Sequence, residues 1–191
     1  MRIRIPQSSF LLLLLLLLVC FFNNGVQAQN LINKTCKIAA KGDTNIKYDF
    51  CVTSLQAAPA SQCAALRGLG MINIRLIRYN VTDTRCRIKQ LLREKKAAQD
   101  PYVKGCLGDC LELYSDAIPN IKQVMRDYNA KKFFEANIKV SAIMDAATTC
   151  EDAFKEKKGV GSPLTKRNDD VVSLSAMLLS LMDMIQAGSA V

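Results

Sequence analysis

The sequence contains no histidine and no tryptophan. The missing histidine excludes Ser-His-Asp and Cys-His catalysis and every imidazole metal site. No cysteines are spaced Cys-x-x-Cys, which argues against a zinc site or a thioredoxin-type centre. No segment alternates polar and apolar residues as a half-buried strand does. Beyond the N-terminus no apolar run approaches the roughly 20 residues that span a bilayer. The formal charge is +9, but the chain has no dense basic block. Its Lys and Arg are mixed with acidic residues, as between Arg85 and Lys96, which reads as solvated helix faces rather than a nucleic-acid surface. Attraction to an acidic polymer or an acidic partner remains open on this charge. No cofactor is implied.

The one long apolar run is at the start. Arg2 and Arg4 precede an almost unbroken apolar stretch from Phe10 to Phe22, and Val26-Gln27-Ala28 supplies small residues at the first and third positions of a cleavage site. Residues 1–28 therefore read as a secretory signal peptide, and no membrane association is expected after its removal. Secretion gives meaning to the sequons Asn33-Lys34-Thr35 and Asn80-Val81-Thr82, so Asn33 and Asn80 are candidate glycosylation sites. It also places the cysteines in an oxidising compartment.

What remains is helical periodicity. Leu31 to Lys41 and Ile46 to Ala58 read as two short helices around the turn cluster Lys41-Gly42-Asp43-Thr44-Asn45, with Pro59 as the stop. Ser61 to about Lys96 reads as one long helix with Ser61 as a possible N-cap, and Ile74, Ile77, Val81, Thr84, Ile88 and Leu91 form its seam. Gly68 and Gly70 weaken its first turns and permit a bend. Asp100-Pro101 is a helix start. The stripe that follows is Val103, Cys106, Cys110, Leu113, Ala117, Val124 and Tyr128, with a kink expected at Pro119. After a turn at Asn129-Ala130, a helix from Lys131 to about Lys157 carries Ala136, Val140, Ile143, Ala147, Cys150 and Phe154. A last helix starts near Asn168 or Asp169, carries Val171, Leu174, Leu178, Leu181 and Ile185, and ends at Gly188. The expected architecture is all-α: an up-down-up-down four-helix bundle over residues 61–191, preceded by a helical hairpin over 29–60.

Cysteine spacing fits this layout. Cys110 and Cys150 are equally far in sequence from Ala130, so an antiparallel hairpin closed there brings them level. Cys36 and Cys51 flank Asp43-Thr44 almost as evenly. Two bridges are expected, Cys36–Cys51 and Cys110–Cys150, although Cys106 shares a face with Cys110 and competes for Cys150. Cys63 and Cys86 cannot pair within one helix, because they would lie about 35 Å apart. With Cys106 they read as apolar filler or free thiols, or as sites of intermolecular pairing.

At this point the residues resemble a known family, the plant invertase and pectin methylesterase inhibitors. The matching stretches are Thr35-Cys36-Lys37, then Tyr48-Asp49-Phe50-Cys51-Val52-Thr53-Ser54-Leu55, then Asp109-Cys110-Leu111-Glu112-Leu113-Tyr114-Ser115-Asp116-Ala117, Ser141-Ala142 and Thr149-Cys150-Glu151-Asp152-Ala153-Phe154. The run from Cys150 to Gly159, followed by Ser162-Pro163, looks most like a pollen-allergen branch of invertase inhibitors. The resemblance implies an enzyme inhibitor, not an enzyme. It would be secreted to the apoplast and cell wall, with the vacuole as the lesser alternative, and would form a one-to-one complex over the active site of acid invertase or pectin methylesterase. In the family's invertase inhibitors a Pro-Lys-Phe tripeptide enters the catalytic pocket. The corresponding turn here is Lys131-Lys132-Phe133, with lysine in place of proline. A lysine suits the acidic groups of a glycosidase pocket, and Phe133 offers an apolar anchor.

The leading reading is inhibition of acid invertase. The alternatives are inhibition of pectin methylesterase, an inhibitor-fold, allergen-like protein with neither activity, and a bundle that carries an apolar ligand. Weak attraction to acidic pectin follows from the charge. An enzyme built on Asp109 with Glu112, or on Asp145 with Glu151 and Asp152, competes poorly with helix-surface charge pairs.

Overall fold

Apolar residues at three- and four-residue steps decide where each helix lies and which face it buries. The computed structural model describes residues 29–94 and 100–188. The expected signal peptide and the expected helix end at Lys96 fall outside them.

Helix α1 covers residues 29–42 and α2 Tyr48–Gln56. Between them the Asp43 carboxylate accepts the Asn45 N–H at 2.8 Å, an Asx turn that closes the hairpin where the turn cluster was read. Cys36 and Cys51 are bonded across it, Cα to Cα 5.7 Å. The loop is tied down by Ser173, whose hydroxyl donates to the Asn45 carbonyl at 2.8 Å.

The next segment departs from expectation. Pro59–Cys63 is a 3-10 turn, and α3 runs only from Leu66 to Leu91. Ser61 is not the N-cap: it is buried, and its carbonyl accepts the Ala64 N–H at 3.2 Å within the tight turn. Ala65 is extended at φ −74° and ψ 173°, which separates that turn from α3. Pro59 fixes the chain into the tight turn first, so the helix must restart.

Helix α4 is Pro101–Asn129, α5 Phe133–Lys155 and α6 Thr165–Gln186. Asp100 caps α4 by accepting from Tyr102 N at 2.9 Å, as Asp-Pro implied. The helix runs unbroken through Pro119. α6 starts one turn earlier than expected, which puts Asn168 inside it and fully buried. Gly188 follows with φ +62°, the left-handed position that ends a helix.

Each long helix packs on its neighbours in sequence, and α3 meets α6 to close the ring. This is the expected four-helix bundle preceded by a hairpin. The α3 seam from Ile74 to Leu91 and the α5 seam from Ala136 to Phe154 are buried throughout. On α4 the burial shifts slightly: Val103 and Leu113 are only half-buried, while Leu107, Tyr114 and Ile121 join the core. On α6 Met184 is buried and Ile185 sits at the margin. Cys110 and Cys150 join α4 to α5 with their Cα atoms 4.9 Å apart. Cys106, the competitor, is a buried thiol near the Ala153 carbonyl, while Cys63 and Cys86 are free and exposed.

Beside that disulfide a polar chain runs from the core to the surface. Tyr114 donates to Asn168 Oδ1 at 2.6 Å, and Asn168 Nδ2 donates to Glu151 Oε2 at 2.7 Å. Thr165 donates to the other Glu151 oxygen at 2.7 Å. Burial pushes the Tyr114 hydroxyl well above its usual range, so it stays a donor at any physiological pH.

Candidate functional site: the turn between α4 and α5

The turn that the resemblance singled out is the link between the two disulfide-bonded helices. It closes α4 by a Schellman arrangement: Lys132 N–H donates to the Asp127 carbonyl at 2.8 Å and Lys131 N–H to the Tyr128 carbonyl at 3.1 Å. The left-handed position is held by Lys131, φ +59°, where glycine is the usual residue. A side chain in that conformation costs roughly 1 kcal/mol or more, and such positions concentrate at functional sites.

Three contacts hold the turn. Tyr128 is fully buried and donates to the Arg67 carbonyl on α3 at 2.9 Å. Arg67 returns the contact by donating to the Asn129 carbonyl at 2.9 Å. This works because residue 70 is glycine: a Cβ there would lie 2.0 Å from the Tyr128 hydroxyl oxygen. Gly70 therefore admits the phenol. Burial pushes the Tyr128 hydroxyl up to about 12, partly opposed by the Arg67 charge. Across the turn, Asp127 is buried, accepts from Gln123 at 2.8 Å and pairs with Lys139 of α5 at 3.2 Å. Burial pulls its carboxyl upward. The Gln123 hydrogen bond, the Lys139 pair and the Lys132 charge outweigh that and hold it below the usual range.

On this frame Lys131 and Lys132 are both exposed. Lys131 stands just past the C-terminus of α4, where the helix dipole favours a cation, whereas Lys132 is the N-cap of α5, whose dipole opposes one. Phe133 is different. It is half-buried, its ring edge-on to Tyr128 with centroids 5.4 Å apart. The next residue, Phe134, is 75% exposed, and Ile138 one turn on is 55% exposed. Beyond them on α5, Ala142, Asp145 and Thr149 face Leu113, Asp116 and Asn120 of α4 across a shallow groove of about 250 Å³.

The other candidates are dispersed. Asp109, Glu112 and Asp145 are exposed. Glu151 is satisfied by Asn168 and Thr165, and Asp152 pairs with Lys155 at 2.8 Å. Among the described residues no group of His, Cys, Asp and Glu is placed to hold a metal. Asn33 is half-buried on α1, and Asn80, within α3, donates to the Leu76 carbonyl at 2.9 Å. Among the described residues no helix is long and apolar enough to cross a membrane. Sequence reasoning missed the Gly70–Tyr128 brace and the exposure of Phe134. Only the second had a signal, because Phe133 stands three residues before Ala136 and so continues the core seam, while Phe134 falls off it.

A rigid, cross-linked bundle that presents a strained, cationic turn has the build of a protein that binds another protein with a fixed surface. The chain belongs to the plant invertase/pectin methylesterase inhibitor family, whose sequence profile matches residues 30–181. It is 40% identical to a Platanus acerifolia protein named "Putative invertase inhibitor", over 87% of this chain and 94% of that one. It is 28% identical to a "Pectinesterase inhibitor" of Actinidia deliciosa, over 71% and 72% of the two chains. The crystal structure of a mutant pectin methylesterase inhibitor from Arabidopsis superposes with a TM-score of 0.61 at 26% identity, covering 72% of this chain and 89% of that one.

Proposed function

We propose that this chain is a secreted protein inhibitor of a plant cell-wall carbohydrate-active enzyme, and that its target is acid invertase. The observation that carries the reading is the α4–α5 turn, where two exposed lysines, the first of them held on left-handed backbone, stand at the end of a disulfide-joined helix pair. A glycosidase active site carries a pair of carboxyl groups in a cleft. A preorganised cation that enters such a cleft gains charge-assisted contacts and loses little conformational freedom. The 40% identity to the Platanus protein supports invertase over other targets. The inhibitor forms a one-to-one complex over the active site and presents the turn Lys131-Lys132-Phe133 to it, with the lysines reaching out and Phe133 anchoring the turn on Tyr128.

A second reading, inhibition of pectin methylesterase, is favoured by the likeness to the Arabidopsis structure and by the groove between α4 and α5. In that case the helix face, not the turn, makes the contact.

Residues 1–28 act as the signal, and Gln29 to Val191 is the secreted inhibitor, with the hairpin over 29–60 and the bundle over 61–191. Asn33 and Asn80 are its glycosylation sites. Asn80 lies about 15 Å along α3 from Gly70, so a glycan there leaves the turn open. Attraction to acidic pectin is centred on the outer face of α3, where Arg75, Arg78 and exposed Tyr79 line one shelf.

The test is to titrate the oxidised mature protein against acid invertase and pectin methylesterase in parallel at acidic pH. Inhibition of invertase that is lost in Lys131→Ala/Lys132→Ala supports the turn. Inhibition of the esterase alone moves the contact to the helix face. Inhibition of neither, by a folded protein, overturns the proposal.

A further inference from the structure

The resemblance pairs the cation of the turn with the aromatic ring at Phe133, but the fold has already used that ring. Phe133 is in register with the core seam of α5 and stands edge-on to Tyr128. Tyr128 is in turn fixed by the Arg67 carbonyl and by the space above Gly70. Withdrawing Phe133 to contact a partner would open the end of the bundle. Phe134 has no such duty, and among the described residues it is the most exposed of the large apolar side chains. Ile138 follows at the next turn of the same face, about 6 Å along the helix. Two large apolar side chains one turn apart, the first of them two residues after Lys132, form an amphipathic tip with the exposed lysines: cations at the end and an apolar shelf on the flank.

We infer that the aromatic contact to the target enzyme is made by Phe134, with Ile138 beside it, and that Phe133 is a positioning residue that closes the bundle and holds the turn. This rests on the reading of the chain as an invertase inhibitor. The occupant of the surface is that enzyme, bound at the mouth of its catalytic cleft. Its chemistry must be an acidic pocket that receives Lys131 and Lys132, rimmed on one side by an apolar ledge that receives Phe134 and Ile138. Charge complementarity selects this partner, because glycosidase clefts hold paired carboxyl groups and the tip presents two lysines immediately beside the apolar pair. Anchors of this kind, aromatic and central in a contact, dominate binding when they are desolvated.

The inference separates two neighbouring residues that a motif treats as one. Phe134→Ala removes a side chain that is 75% exposed, so the melting temperature should stay nearly the same while inhibition of invertase weakens by about 30-fold or more. Ile138→Ser should weaken it by a smaller factor, again with an unchanged melting temperature. Phe133→Leu keeps an apolar plug against Tyr128 and should retain most of the inhibition, whereas Phe133→Ala should lower the melting temperature. The experiment measures inhibition constants against purified acid invertase for the wild type and these variants, with a thermal melt of each. Full inhibition by Phe134→Ala alongside loss of inhibition in a stable Phe133→Leu would overturn the inference and leave the inhibitor reading standing. A folded wild-type protein that does not inhibit invertase would overturn both.

Discussion

Replacing Gly70 with alanine should destabilise the protein, although the same change elsewhere on a helix stabilises it. In an open helix interior the substitution gains about 1 kcal/mol of helix propensity. At Gly70 the new Cβ would meet the Tyr128 hydroxyl oxygen at 2.0 Å and the ring carbon that bears it at 2.7 Å. The ring cannot swing away cheaply, because it is fully buried and packed against Phe133. Overpacking of this kind costs about 1–3 kcal/mol, and displacing the phenol from the Arg67 carbonyl costs about 1 more. After subtracting the propensity gain, the net loss is about 1–3 kcal/mol. At 2 kcal/mol the melting temperature of a domain this size falls by about 4–8 °C. Gly105→Ala and Gly108→Ala on α4 are the controls, since a Cβ at either meets nothing within 4 Å. Both should leave stability unchanged or raise it. The assay is a circular-dichroism melt with urea titration of the three variants. A Gly70→Ala protein as stable as the wild type would refute the claim that this glycine exists to admit Tyr128, and with it the account of how the turn is held.

Other predictions concern the same frame. Lys131→Gly should raise stability by about 0.5–1 kcal/mol in urea titration, because glycine relieves the left-handed backbone at φ +59°; a less stable variant would mean that the lysine makes a compensating contact. Because the Asp127 carboxyl is held below its usual range in the fold, its contribution to stability is fully present above about pH 4 and is lost as pH falls through the lower folded value. An Asp127→Asn variant should therefore show a shallower acid limb in a stability-against-pH profile. Tyr128, pushed up to about 12, has the opposite sign: its contribution is present below about pH 10 and is lost as pH rises towards 12, so Tyr128→Phe should flatten the alkaline limb. Removing the Cys110–Cys150 bridge with a double serine variant opens a 40-residue separation and should cost about 4 kcal/mol on the chain-entropy model, against about 3 for Cys36–Cys51 with its separation of 15. Chemical denaturation of the two double variants checks the order.

Much of this architecture is legible before any coordinates are seen. The seams on α3 and α5 repeat at three and four residues without a gap, and that regularity leaves one way to bury them. Symmetric cysteine spacing about Asp43-Thr44 and about Ala130 then favours both bridges, Cys110 over its competitor Cys106 included, because antiparallel helices convert equal sequence distance into equal height. Local signals with a direct backbone cause, such as Asp100-Pro101 and Gly188, also read correctly. Ser61 did not, because an N-cap signature cannot reveal that Pro59 has already committed the chain to a 3-10 turn. Asn168 looked like a helix start by residue type, yet tertiary burial against Tyr114 and Glu151 decides its place. At the site, the sequence marks the turn but not its support. The partnership of Gly70 with Tyr128 joins residues far apart in the chain, and no local pattern encodes it. The different burial of Phe133 and Phe134 is legible in the α5 repeat, which Phe133 continues and Phe134 leaves.

The central claim is that the α4–α5 turn occupies the active site of acid invertase. The most direct measurement is the initial rate of the enzyme over a matrix of inhibitor and sugar-substrate concentrations. Occupation of the active site predicts competitive inhibition: the apparent inhibition constant rises linearly with substrate while the limiting rate is unchanged, and Lys131→Ala/Lys132→Ala abolishes the effect. A limiting rate that falls while the apparent constant ignores substrate would place the inhibitor elsewhere on the enzyme and contradict the account.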